Sequence, residues 1–179
     1  MWPAAKGTWR FYSQSLNRQT QTFKMKPIWH QPYTLPQLRP MQQGNMLSHL
    51  GIELTELGDD YLVGTMPVDE RTSQPAGLLH GGASVVLAES LGSIAANLCI
   101  DPASRVAVGQ EVSASHLRPV RAGMVTGVAR PVHLGRNSQV WEIRITDNRQ
   151  RLVCISRLTV AVVAAGHGGG AHIVTSCQV

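Results

Sequence analysis

Cysteine is scarce in this chain: of 179 residues only Cys99, Cys154 and Cys177 are cysteines, odd in number, far apart and without a C-x-x-C spacing. That excludes a disulfide framework and a cysteine zinc site, and fits reduced thiols in a cytoplasmic protein. Long apolar runs are missing too. The longest candidate, the 17 residues from Gly82 to Leu98, falls short of the roughly 20 wanted for a membrane span, and Glu89 sits in its middle. With no signal-peptide pattern either, no association with a membrane is expected. Acids are absent from residues 1 to 50, which hold six Lys or Arg, whereas residues 51 to 179 hold ten basic and eleven acidic residues. The net charge of +5 therefore belongs to the amino-terminal segment. The remainder is near neutral and offers no case for a nucleic-acid-binding face.

What is present suits one domain, with 43% hydrophobic residues to build its core. Residues 1 to 24 are rich in Gln, Ser, Thr and Arg, a composition shared with organelle transit peptides. The simpler expectation is a loosely ordered extension preceding Met25. Residues 164 to 179, with Gly168, Gly169 and Gly170 in a row, are expected to form a flexible tail. His167 and His172 within it lack the further ligands that a metal site needs, and no metal site is expected.

Between these ends the pattern is of strands around one long helix. Leu35 to Leu50 reads as a helical lead-in broken by Pro36, Pro40 and Gly44-Asn45. Ile52 to Leu57 and Tyr61 to Val68 are β-rich runs split by Gly58-Asp59-Asp60. Arg105 to Leu117, Met124 to Leu134, Ser138 to Thr146 and Leu152 to Val163 continue in strand fashion. Turns are expected at Gly135-Arg136-Asn137 and at residues 147 to 150. In the third of these later runs Trp141, Ile143 and Ile145 share one face while Glu142 and Arg144 share the other, as a half-buried antiparallel strand requires. The simplest assembly is α+β, a curved antiparallel sheet wrapped around one long central helix.

Residues 74 to 93 place a lone carboxylate, Glu89, in a helix that is otherwise apolar or small and so belongs in a core. An ionised group there without a partner is costly, so it neutralises, pairs or has a function. Gly81 and Gly82 open the helix, where unbonded N–H groups can stabilise an oxyanion. Ser93 lies four residues beyond Glu89, on nearly the same face.

The segment GLLHGGASVVLAES, together with GNMLSHLGIE, MPVDERTSQPAGLLHGG, SHLRPVRAG and HLGRNSQVW, resembles the hotdog-fold acyl-CoA thioesterases. The branch is the glutamate-dependent one that includes 4-hydroxybenzoyl-CoA and 1,4-dihydroxy-2-naphthoyl-CoA thioesterases, and the naphthoyl-CoA group is nearest. The likeness covers roughly residues 26 to 163, leaving both extensions outside a hotdog domain of residues 25 to 163. The resemblance implies that the Gly81 N–H is the main oxyanion donor with His80 assisting, and that Gln74, in a loop before Pro75, positions substrate or water. Glu89 acts either as nucleophile, giving a mixed anhydride, or as general base on water. Ser93 either bonds that carboxylate or packs as a small helix residue. Gly82 permits close approach of the substrate; His116 and Arg118, and His133, Gly135 and Arg136 in the later turn, match positions near which the family holds coenzyme A. The acyl pocket is expected to draw on Met41, Met46, Leu47 and Val85.

The family assembles as dimers whose two helices sit together and whose sites are shared, usually paired into tetramers, and needs no metal or redox cofactor. The expected function is hydrolysis of an aryl-type acyl-CoA, with an aryl-carrier-protein thioester as the alternative substrate. A hotdog dehydratase or hydratase would typically set a catalytic His against the helix acid, and a non-catalytic acyl-CoA-binding domain would not need Glu89.

Overall fold

The computed structural model describes residues 26–165. The extension over 1–24 and the tail beyond Ala165, with His167, His172 and Cys177, lie outside the described residues.

The lead-in is a short helix α1 (Leu35–Leu38), a 3-10 turn (Arg39–Gln42) and α2 (Met46–Leu50). Pro36 and Pro40 each fall in the first turn of their piece, where proline is tolerated, and Pro40 keeps α1 from continuing as an α-helix. Asn45 starts α2 by accepting from Leu47 N at 3.0 Å, and Gly51 ends it at φ +66°, a left-handed value that glycine adopts without penalty. Next come β1 (Glu53–Leu57), β2 (Leu62–Val68), the two-residue strands β3 (Ser73–Gln74) and β4 (Leu78–Leu79), and the long helix α3 (Gly81–Leu98). The chain then forms β5 (Arg105–His116), β6 (Gly123–Leu134), β7 (Ser138–Asp147) and β8 (Leu152–Ala164). Six strands make one antiparallel sheet in the order β1-β2-β6-β7-β8-β5. Gln74, expected in a loop, sits at the end of β3 in a small β3–β4 hairpin.

The strand alternation holds: Trp141, Ile143 and Ile145 are fully buried, while Glu142 and Arg144 pair on the outer face at 3.2 Å. Trp141 Nε1 donates to the buried Gln139 Oε1 at 3.0 Å, and Gln139 Nε2 donates to Ala96 O at 3.5 Å, so the buried amide ties β7 to α3. The helix sits close because the cross-strand pair Gly64 and Gly127 leaves a notch. A Cβ at either position would lie 2.8 or 2.7 Å from a methyl of Leu91. Leu87 and Leu91, both fully buried, each contribute about 1.5–3 kcal/mol by leaving water.

The sheet covers only one side of α3. Ala83, Leu87, Ala88, Leu91, Ala95, Ala96 and Leu98 are buried against it, whereas Glu89 is exposed and Val86, Ser90, Ser93, Ile94 and Asn97 are half-buried. A helix expected to be enclosed all round is thus open on its Glu89 face among the described residues, because a single sheet can cover only one face of it. At the sheet's margin β5 has no strand on its outer side among the described residues. No helix among the described residues is long and apolar enough to cross a membrane.

Candidate active site

The start of α3 is built by its neighbours. Thr72, 1% exposed, donates from Oγ1 to Pro67 O at 2.8 Å and accepts from Asp69 N at 3.1 Å, and its carbonyl accepts His80 N at 2.8 Å. His80 then caps the helix, Nδ1 accepting from Gly82 N at 2.8 Å. With Nδ1 an acceptor, the proton of the neutral ring lies on Nε2, pointing a donor away from the cap. The cap also occupies the Gly82 N–H, so of the two glycine amides only that of Gly81 has no partner among the described residues. His116 lies over Gly81: a Cβ there would stand 2.8 Å from His116 Nε2. Gln74 Oε1 accepts from Ala76 N at 2.7 Å, leaving its side-chain NH2 to donate elsewhere.

Of these residues Gln74, Gly81 and His116 line a cavity of about 360 Å³, which Ser84 and Arg118 also border. A second, of about 610 Å³, opens on the uncovered face of α3, where Glu89, Ser93 and Asn97 look across at Met41, Met46 and Leu47 of the lead-in. Val86 lines it; Val85, expected there, does not. Of the expected catalytic residues Gln74 and Gly81 thus line one cavity and Glu89 and Ser93 the other, while His80 and Gly82 line neither. A rise of 1.5 Å per residue puts Gly81 and Glu89 about 12 Å apart along the helix, too far for both to act on one carbonyl within a chain. Burial pushes the Cys99 thiol up to about 12 and raises that of Cys154, so neither offers a thiolate nucleophile near neutral pH.

The thioesterase superfamily profile matches residues 76–154. Over 136 residues the chain is 54% identical to the 1,4-dihydroxy-2-naphthoyl-CoA hydrolase of Escherichia coli, spanning 76% of this chain and 99% of that one. The chain belongs to the thioesterase superfamily. It is also 55% identical over 136 residues to the proofreading thioesterase EntH of Cronobacter turicensis, covering 76% of this chain and 98% of that protein. Among solved structures, a thioesterase from Haemophilus influenzae superposes with a TM-score of 0.76 at 47% identity, over 79% of this chain and 99% of the other. The α+β hotdog architecture expected from the sequence is the one found.

In this thioesterase the remaining expected residues lie apart. His133, Gly135 and Arg136 form the β6–β7 tip, closed by Gly135 N donating to Ser138 O at 2.9 Å, and line neither cavity. Asn137 beside them accepts from Arg105 Nη2 at 3.3 Å, at the first residue of β5, whereas His116 is its last. Val162, which pairs with Ala107, donates from its N–H to Asn137 O, so the β6–β7 tip stands level with Ala107; at about 3.3 Å per residue the two groups of expected coenzyme A residues are roughly 25 Å apart along the sheet of one chain. Neither Arg118 nor Arg136 has an acidic partner among the described residues, so both cations remain available. Among the described residues no group of three or more His, Cys, Asp or Glu could hold a metal ion.

Two site-shaping residues escaped the sequence reading. Asn97 donates to Ser93 O at 2.9 Å and Ala107 O at 3.1 Å and accepts from Ala107 N at 3.0 Å, clipping β5 to the helix. Its signal was visible in the spacing of Glu89, Ser93 and Asn97 every four residues. Thr72 left no comparable trace, since its role depends on a turn closed by Thr72 N bonding Asp69 O.

Proposed function

We propose that this thioesterase hydrolyses an aryl-type acyl-CoA to the free acid and coenzyme A, with 1,4-dihydroxy-2-naphthoyl-CoA as the first substrate to test, at sites that two chains share. The observation that carries the reading is the separation of Gly81 and Glu89 into two cavities about 12 Å apart along one helix. A second copy whose helix packs on the uncovered face of α3 brings one chain's Gln74 and Gly81 to the other's Glu89. It also brings the two distant groups of coenzyme A residues to one ligand.

At such a site the thioester carbonyl oxygen receives the Gly81 N–H, with His80 Nε2–H and the Gln74 amide as further donors. The negative charge that develops on that oxygen is then met by donors already in place. Glu89 either attacks the carbonyl carbon, giving an anhydride that water opens, or takes a proton from an attacking water. On both routes a C–O bond forms, the C–S bond breaks, and the thiolate leaves to be protonated as coenzyme A. Ser93, one helical turn from Glu89, is placed to hydrogen-bond the carboxylate or the water. Gly82 serves by donating its N–H to the capping His80 and leaves room for substrate. His116 and Arg118 of one chain and His133, Gly135 and Arg136 of the other hold the nucleotide and pantetheine, the guanidinium groups pairing with phosphate. No metal or redox cofactor takes part. On this reading the enzyme works in the cytoplasm in menaquinone or phylloquinone biosynthesis, as a dimer or a pair of dimers.

A second reading, a proofreading thioesterase acting on aryl-carrier-protein thioesters, is favoured by the 55% identity to a relative of that name. Thiol release from a panel of aryl-CoA, aliphatic acyl-CoA and aryl-carrier-protein thioesters distinguishes the two. Glu89→Gln should lower turnover on the best substrate at least roughly a hundredfold, about 2.7 kcal/mol of transition-state stabilisation, with affinity little changed. Near-normal turnover by the folded variant would refute the assignment of Glu89.

A further inference from the structure

Glu89 meets a particular place on the edge strand. A Cβ built on Gly109 would stand 3.2 Å from Glu89 Oε1, closer than a methyl group and a carboxylate oxygen ordinarily pack, so the carboxylate would have to shift by a few tenths of an ångström. The backbone does not account for this glycine, because Gly109 is not among the residues with positive φ, and glycine weakens a strand interior. What surrounds it is a device for holding β5 at a fixed distance from α3. Two residues earlier, Ala107 is bonded through both its N–H and its carbonyl to the side chain of Asn97. Between Gly109 and Glu111 the pairing with β8 slips by one residue, a bulge that bends the strand beside the helix. Bulges of this kind re-aim neighbouring groups at sites.

We propose that Gly109 is a positioning residue for Glu89: the missing side chain at the β5 bulge leaves the slot in which the carboxylate lies, and so sets the direction from which it meets the substrate. The inference rests on the reading of Glu89 as the acting carboxylate. Because the group that must yield is the far end of a flexible side chain, filling the slot moves the carboxylate without disturbing the fold. Small displacements of a reacting group are costly to turnover.

The test is kinetic, made on the full-length chain with Gly109→Ala, Gly109→Ser and Gly109→Val, each also combined with Glu89→Asp, whose carboxylate is retracted by one methylene. Gly109→Ala and Gly109→Ser should keep the melting temperature and elution volume, lower kcat about fivefold and leave KM within about twofold; Gly109→Val should lower kcat about fiftyfold. In the Glu89→Asp background Gly109→Ala should cost less than about twofold, because the shorter acid no longer fills the slot. Wild-type kcat in the folded Ala and Ser variants would overturn the proposal. So would an equal fractional loss in both backgrounds, which would place the effect in the strand rather than in the carboxylate. Glu89→Gln, assayed in the same series, separates the two layers of argument. If it retains turnover, the reading of Glu89 fails and this inference falls with it; if it is inactive while the Gly109 variants match wild type, only the positioning role is lost.

Discussion

Asn97→Asp is a sharp test of how the helix and the edge strand hold the site together. The substitution keeps the shape and the acceptor that faces Ala107 N at 3.0 Å, but it replaces the NH2 that donates to Ser93 O at 2.9 Å and Ala107 O at 3.1 Å with a second carboxylate oxygen. Two hydrogen bonds worth about 0.5–1.5 kcal/mol each are lost, and two carbonyl oxygens now face a negative charge. Together these give a loss of about 3 kcal/mol at neutral pH, or a fall in melting temperature of about 6–12 °C for a chain of this length. The sign with pH follows from the same contacts. A carboxylate set against two carbonyls is favoured in its protonated form when folded, so its folded pKa stands above the unfolded value of about 3.9. The destabilisation is therefore full above the folded pKa and shrinks as pH falls through it, when the protonated acid can donate one bond again. Urea unfolding followed by circular dichroism at about pH 7 and about pH 4.5 reads both effects, with Asn97→Ala as a non-titrating control. A loss below about 1 kcal/mol at neutral pH, or one that is the same at both pH values, would refute the role of the Asn97 clip.

Other parts of the structure carry their own expectations. Arg118→Ala and Arg136→Ala should weaken coenzyme A thioesters more than truncated pantetheine thioesters, and the difference should shrink with added salt; equal losses on both substrates in steady-state assays would count against a phosphate role. Asp147, which accepts from Arg151 Nε at 2.8 Å and from the N–H groups of Arg149 and Arg151, is held down to about 2, first by the Arg151 side chain and then by those backbone donors. Its folded pKa is depressed, so its stabilisation of the β7–β8 turn is present above the unfolded pKa of about 3.9 and is lost as pH falls through about 2. Urea titrations should show Asp147→Asn less stable than wild type near neutral pH, with the gap closing between about pH 4 and pH 2; a constant gap would show that the carboxylate charge is not what holds the turn.

The long elements were legible because their patterns are local. Strict alternation from Ser138 onward placed β7 to within a residue, and Gly81 and Gly82 marked the start of α3. The β3–β4 hairpin was not read, because two-residue strands are too short to show a period and Pro75 speaks for a loop. The open face of α3 was not legible in the residues themselves, because an apolar helix announces that it will be covered, not by which surface; only the family resemblance, with two helices set together in a dimer, implied a second chain there. Choosing Val85 instead of Val86 for the larger cavity was an error of one residue, about 100° around the helix axis. Gly109 could not be found from the sequence at all, since its meaning depends on the register between an edge strand and a helix that only the folded chain sets.

The central claim is that Gln74 and Gly81 of one chain work with Glu89 of another. Co-expression of Gln74→Ala chains with Glu89→Ala chains tests it directly, once each variant alone is shown to be strongly impaired. If the site is shared, a mixed dimer has one doubly damaged site and one intact site; random pairing makes half of all dimers mixed, so roughly a quarter of wild-type turnover should return. If each chain's residues served its own site, no pairing could assemble an intact one, and turnover of the mixture no greater than the average of the two parents would contradict the account.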